Sequence, residues 1–233
     1  MASRSATFHG GYSGAFWAPF RYLLNLTLLL SGLLLAAWAI DGFLVFKIWP
    51  DGLHSLEVAI ATTAAALDDP YGISSLRAQG VAWANGLYHA LFVASAIDQI
   101  ITADPHLLTP FDQSVQRVFV SMLPALQVAM LATKLYGLRL ALWLSATLPV
   151  ALSYAVGMID GLAERSIRRY SGGRESATLY HRAKYAIACV AGLSLFVYVC
   201  IPAAVELQGW SWVTAAVIGV LSRLQWKYYK KYV

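Results

Sequence analysis

The sequence predicts an all-α, polytopic helical membrane protein with about four transmembrane helices and an extracytoplasmic helical segment. Three observations predict it. Hydrophobic residues fill 59% of the 233 positions, charged residues only 12%, and the mean hydropathy is +0.59. A soluble domain carries about 25% charged residues, so there is too little charge here to cover a globule in water. Several apolar runs reach the length of ~20 residues that a helix needs to cross the hydrocarbon of a bilayer. Eight Trp and thirteen Tyr suit a chain with two membrane–water interfaces, where amphipathic rings settle at headgroup depth. The net charge of +5 fits basic membrane loops and gives no independent reason to expect nucleic-acid binding.

Residues 1–21 form a short N-terminal segment, and the first span covers 22–46. Arg4 and Arg21 precede it, and Ala37-Trp38-Ala39 could pass for a processing site, but the apolar stretch exceeds an ordinary signal-peptide core. A retained span is expected. Asp41 is placed near its outer end, with Lys47 and Trp49 at the interface and Pro50 as a breaker. Residues 50–117 change character: seven acids stand against Arg77 and Arg117. Amphipathic helices are expected here, separated by Asp68-Asp69-Pro70-Tyr71-Gly72 and by the stretch from Asp104-Pro105 to Thr109-Pro110. Leu53, Leu56, Ile60 and Leu67 share one helical face. A second helix from Ser74 to Ala103 contains Asn85, His89, Asp98 and Gln99, which favour lying on the membrane over crossing it.

The block from Phe111 to Leu162 is largely apolar, interrupted by Lys134–Arg139, and reads either as a tight hairpin of two spans or as one long helix, 118–161, whose first half stands outside the membrane. Charge decides. Asp160–Lys184 holds six basic residues against three acids, and Arg223, Lys227, Lys230 and Lys231 follow Leu221 without an acid. An excess of Lys and Arg marks cytoplasmic segments. Placing the N-terminus, the basic loop 162–184 and the tail 227–233 inside, with the acidic segment outside, needs a single crossing, at about Leu140–Gly161. Lys134, Tyr136, Arg139 and Trp143 then fall at the outer interface, and Pro124 and Pro149 are expected kinks. Residues 185–205 go out, Glu206-Leu207-Gln208-Gly209 turns, and 209–226 return. Six spans, with Val81–Ile101 and 118–136 both crossing, also satisfy the charge rule.

Little in the sequence points to chemistry. No phosphate-binding GxxxxGK[ST] loop and no CxxC or HExxH metal pattern occurs. Cys189 and Cys200 lie eleven residues apart on one apolar run, about 16 Å of helical rise, and cannot pair with each other. Gly11-Tyr12-Ser13-Gly14 matches the GxSG of rhomboid proteases, but Ser13 precedes the first span and no histidine lies in a late span to serve as its base. No catalytic residue, metal or cofactor is expected. Asp41, Asp160 and Glu206 fall at span ends, where a charge can reach water.

The polar segment that carries information is Asp160–Lys184. A span runs into a basic helical end, turns through Ser171-Gly172-Gly173, and a fresh helix is capped near Ser176. Its arginines suit lipid phosphates or a partner's carboxylates. Asp160-Gly161-Leu162, Arg168-Arg169-Tyr170, Gly172-Gly173-Arg174-Glu175-Ser176 and Tyr180-His181-Arg182-Ala183-Lys184 closely resemble the signature of the integrating-conjugative-element membrane protein family. Trp49-Pro50-Asp51-Gly52 and Lys230-Lys231-Tyr232 add to the likeness, while Ser166-Ile167 departs mildly from the family's usual loop.

The resemblance implies a non-enzymatic accessory protein of a conjugation or type IV secretion apparatus in the bacterial inner membrane. Its members are commonly encoded beside a coupling ATPase of the TraD/TraG type. The expected role is an adaptor or anchor for that ATPase. Arg168, Arg169, Gly172, Gly173, Arg174, Glu175, Tyr180, His181, Arg182 and Lys184 would form the contact, with anionic lipid headgroups also meeting the loop and no direct nucleic-acid binding. The alternative is a homo-oligomeric pore or conduit, with the acidic segment as its vestibule and Gly157 and Gly161 as helix contacts.

Overall fold

A computed structural model describes residues 11–67, 75–171, 177–201 and 207–229. Every regular element among them is helical: α1 (Gly11–Phe43), α2 (Leu53–Ala66), α3 (Ser75–Tyr88), α4 (Ile97–Thr102), α5 (Pro110–Ser121), α6 (Leu123–Tyr170), α7 (Ala177–Cys200) and α8 (Leu207–Lys227). Three helical stretches are long and apolar enough to cross a membrane: Phe20–Ile48, Leu123–Tyr170 and Thr178–Cys200. The chain is an all-α membrane protein, as expected. The turns at 68–74 and 202–206, the Ser176 cap and the Lys230-Lys231-Tyr232 ending lie outside the described residues.

The spine is α6. At 1.5 Å per residue its 48 residues extend about 72 Å, over twice the ~30 Å of hydrocarbon in a bilayer. It runs unbroken through Lys134–Arg139, so the hairpin reading of this block is not observed. Pro149 lies inside the helix, whereas Pro124 sits in its first turn, where a missing N–H costs nothing. The break expected at Pro124 therefore falls just before it, at Met122 between α5 and α6.

The N-terminal half of α6 is wrapped by other helices. Val45, Leu56, Ala59, Val128 and Leu135 form one apolar cluster that joins the π-helical turn Leu44–Ile48 after α1 to α2 and α6, with Leu53 and Ile60 packed on it. Leu67, Ala84, Leu138, Ala141 and Leu142 form another between α2, α3 and α6. The face read from Leu53, Leu56, Ile60 and Leu67 is thus the packed face of α2 and its end. Small residues permit the α3–α6 approach: a Cβ on Gly137 would fall 2.5 Å from the Ala84 Cα. The helix expected from Ser74 to Ala103 is instead interrupted. A π turn at His89–Val93 and a left-handed Ala96 (φ 59°) separate α3 from α4. At 14 residues α3 is about 21 Å long, too short to cross a bilayer.

The C-terminal half of α6 runs beside α8, residue order rising together. The Ser153 hydroxyl donates to the Ala215 carbonyl at 2.6 Å, and the Ser222 hydroxyl to the Tyr154 carbonyl at 2.8 Å. The backbones touch. A Cβ on Gly157 would lie 2.2 Å from the Gly219 carbonyl oxygen, and one on Gly161 2.5 Å from that of Arg223. These glycines are used within one chain, not held open for a second copy. By contrast, residues 20–29 of α1 are exposed along their whole circumference and dominated by Leu, Phe and Tyr, as a lipid-facing helix would be.

Because the obstruction at Gly157 is backbone, even one methyl must push the helices apart. Gly157→Ala is expected to destabilise the purified chain by about 1–3 kcal/mol. Gly192→Ala, where no atom lies within 4 Å of the added carbon, should leave it unchanged. Thermal unfolding of both variants in detergent checks this.

Candidate functional site

The basic segment is more helical than a loop. α6 carries Arg165, Arg168 and Arg169 to its end at Tyr170, and α7 resumes at Ala177. Cations in a last helical turn face the carbonyl end of the helix dipole, which favours this extension. Residues 172–176 lie outside the described residues, and with them Gly172, Gly173, Arg174 and Glu175.

What holds this end together is an ionic and aromatic collar. Asp160 and Glu164 are four apart on α6, and Arg223 and Lys227 four apart on α8, so each pair shares a face. Arg223 Nε meets Asp160 Oδ2 at 2.9 Å, its Nη2 reaches Glu164 Oε1, and Lys227 Nζ meets Glu164 Oε2 at 2.7 Å. Partly exposed pairs of this kind are worth about 0–1 kcal/mol each, so their importance is in register, not strength. Arg168 Nη2 donates to the Lys227 carbonyl at 2.8 Å, and its guanidinium lies 4.3 Å from the Tyr228 ring centre. Arg165 lies 5.2 Å from the Tyr229 ring centre. Tyr229 also meets Trp226 at 5.3 Å and Tyr180 at 5.6 Å, and Tyr180 meets His181 edge-on. Trp226 Nε1 donates to the Tyr154 hydroxyl at 3.2 Å.

The residues expected to form one contact surface therefore divide. Arg168 and Tyr180 are spent on the collar. Arg169, His181, Arg182 and Lys184 are exposed, and Tyr170 beside them is 94% exposed. The sequence reading missed the partners on α8: Arg223, Lys227, Tyr228 and Tyr229. The matching four-residue spacing of acids on one helix and bases on another was the available signal.

A second polar centre lies at the other end of the bundle. Asp41 and Arg139 are each only 3% exposed and interact electrostatically. Both were expected near an interface with access to water; neither has it. The reason is packing: α1 crosses α6 here and the end of α7 closes over the crossing. Tyr136 donates its hydroxyl to the Leu30 carbonyl at 2.8 Å, Trp38 Nε1 to Thr133 Oγ1 at 3.0 Å, and Arg139 Nη1 to the Ile201 carbonyl. Asp41 Oδ1 and Arg139 Nε have no hydrogen-bond partner. Cys200 is buried, its thiol directed at the Leu33 carbonyl at 3.5 Å, while Cys189 is exposed. Gly11–Gly14 forms the first turn of α1, so the helix begins within the N-terminal segment, ahead of the expected span. Among the described residues no group of three His, Cys, Asp or Glu side chains could hold a metal.

A bundle of long apolar helices with a charged pair in its interior and a basic collar at one end defines a polytopic membrane protein. The chain belongs to the DtrJ-like family, whose model, described as IncC plasmid conjugative DNA transfer protein DtrJ-like, matches residues 74–230. No curated protein and no solved structure matches the chain. The family thus supports the conjugative character that the Asp160–Lys184 segment suggested. The match begins at residue 74, yet Asp41, the carboxylate that faces Arg139, lies on α1 before it.

Removing one member of a contacting buried ion pair costs ~3–5 kcal/mol. Asp41 and Arg139 interact without an ion-pair contact, so the loss of one is expected to cost less, about 1–3 kcal/mol. Asp41→Asn and Arg139→Gln are each expected to destabilise the chain by about that amount, and Asp41→Leu combined with Arg139→Met to recover much of it. Thermal unfolding of the four purified proteins in detergent measures the coupling.

Proposed function

We propose that this chain serves conjugative DNA transfer as a non-enzymatic accessory protein of the inner membrane, anchoring the DNA-translocating coupling ATPase of a type IV secretion apparatus. The observation that carries the reading is the division of the basic residues. Arg168, Arg223 and Lys227 already have partners within the chain, whereas Arg169, His181, Arg182 and Lys184 project from the ends of α6 and α7. Exposed guanidinium groups seek carboxylates, which they grip bidentately, so the partner surface is acidic. The membership in a conjugative-transfer family supports the system, and the resemblance of the same segment to proteins encoded beside TraD/TraG-type ATPases supports the partner. The excess of Lys and Arg in this segment and the tail supports the reading that this end, and both termini, face the cytoplasm.

In this reading the helices are an anchor and the exposed basic edge is the contact. Charge reversal of Arg169 and Arg182 together should reduce co-purification with the coupling ATPase and transfer frequency by about tenfold or more, with membrane insertion unchanged. Arg168→Gln should instead lower thermal stability, since its hydrogen bond is internal. Unaltered co-purification and transfer in the Arg169→Glu, Arg182→Glu variant would count against the docking role.

A further inference from the structure

The collar contains one cation whose hydrogen-bonding demand is not met. Arg165 Nε and Nη2 are both shielded from solvent and have no hydrogen-bond partner among the described residues. These two N–H groups form the side-on fork of a guanidinium, the geometry that takes two oxygens of one phosphate or carboxylate. A charged donor left unpaired out of water costs more than a neutral one, so a fork in this state calls for an anion. Among the described residues the nearby acids do not supply it. Asp160 is held by Arg223, and Glu164 by Arg223 and Lys227. The neighbouring Arg168 faces the Lys227 carbonyl and Tyr228, adding positive charge without competing for the same anion.

We infer that Arg165, backed by Tyr229 and Arg168, is a binding site for the phosphate of one anionic phospholipid. The surroundings favour a lipid. The site lies where apolar α6 and α8 give way to charge, and Trp226, Tyr228 and Tyr229 cluster there as an aromatic belt does at headgroup depth. The Tyr229 ring centre lies 5.2 Å from the Arg165 guanidinium, and in the proposed site this ring moves aside to admit a headgroup. The site is separate from the outward basic edge, because Arg169, Arg182 and Lys184 have no place in it. It would therefore stand even if the docking of an ATPase there did not.

The test uses the full chain in nanodiscs of phosphatidylcholine, with or without phosphatidylglycerol, read by native mass spectrometry and thermal unfolding. The wild-type chain should retain one phosphatidylglycerol and melt higher in its presence. Arg165→Lys keeps the charge but loses the fork, and should bind the lipid about tenfold more weakly. Tyr229→Leu should weaken it in the same direction, and Arg169→Gln should behave as wild type. Inorganic phosphate added to phosphatidylcholine discs separates the sources of the chemistry. A stabilisation equal to that by phosphatidylglycerol would overturn the lipid assignment, and no effect supports it. Equal retention by wild type and Arg165→Lys, or equal losses in Arg165→Lys and Arg169→Gln, would show only diffuse attraction to basic charge and overturn the site. If Arg165→Lys does not fold, Tyr229→Leu alone decides, retention at the wild-type level overturning the site.

Discussion

Along the seam between α6 and α8 there is no room for a side chain at Gly157 or Gly161, and the two backbones touch. In a membrane, where lipid is as apolar as leucine, helices gain little from hiding hydrophobic surface from one another. Close van der Waals packing of small residues and buried hydroxyl bonds must hold them. The seam supplies both, through its glycines and through Ser153 and Ser222 reaching across to carbonyls. It also sets register. With α6 and α8 parallel and in contact, Asp160 and Glu164 come level with Arg223 and Lys227, and Arg165 and Arg168 come level with Tyr229 and Tyr228. The collar is a consequence of where the backbones can approach.

The same helix does different work at its other end. There α6 accepts α1, α3 and the end of α7 around a charged interior, with Asp41 and Arg139 away from water. Burial costs both groups their hydration, and their attraction for each other, with no ion-pair contact between them, recovers only part of it. Arg139 additionally donates to the carbonyl of Ile201, the residue that follows α7, so its guanidinium links α6 to the end of α7 and interacts with Asp41 of α1. One continuous helix thus links the interior charge centre at Arg139 to the basic surface at Arg165–Arg169 near its C-terminal end.

The helical class, the first span and the packed face of α2 were legible in the sequence, because each rests on apolar periodicity or run length. Counting basic residues favoured one long helix over a hairpin at Lys134–Arg139, and α6 is unbroken there. Asp41 and Arg139 were not legible as interior residues. A charge near the end of an apolar run looks the same whether it faces headgroups or another helix, and only the crossing of α1 with α6 distinguishes the two. The break at Ala94–Ala96 was hidden as well, since it depends on a left-handed alanine in a stretch, Leu87–Ala103, with no proline or glycine. At the basic end, the sequence grouped Arg168 with Arg169 as neighbours. One turns inward to the Lys227 carbonyl and the other outward, a difference set by about 100° of rotation per residue and by a partner helix far along the chain.

An anchor of this design would present its exposed basic edge at a fixed height and orientation, because the collar beneath it is braced on two helices. That depends on α6 and α8 standing side by side in register. The most direct measurement is cysteine cross-linking of the chain in its native membrane, with Cys189 and Cys200 replaced by alanine. A Cβ at position 219 lies 3.7 Å from that of Ser153, within the range a disulfide requires. Ser153→Cys combined with Gly219→Cys should form an intramolecular disulfide on mild oxidation and still sediment with membranes. Failure to cross-link, or cross-links only between two copies, would contradict the α6–α8 seam and the collar built on it.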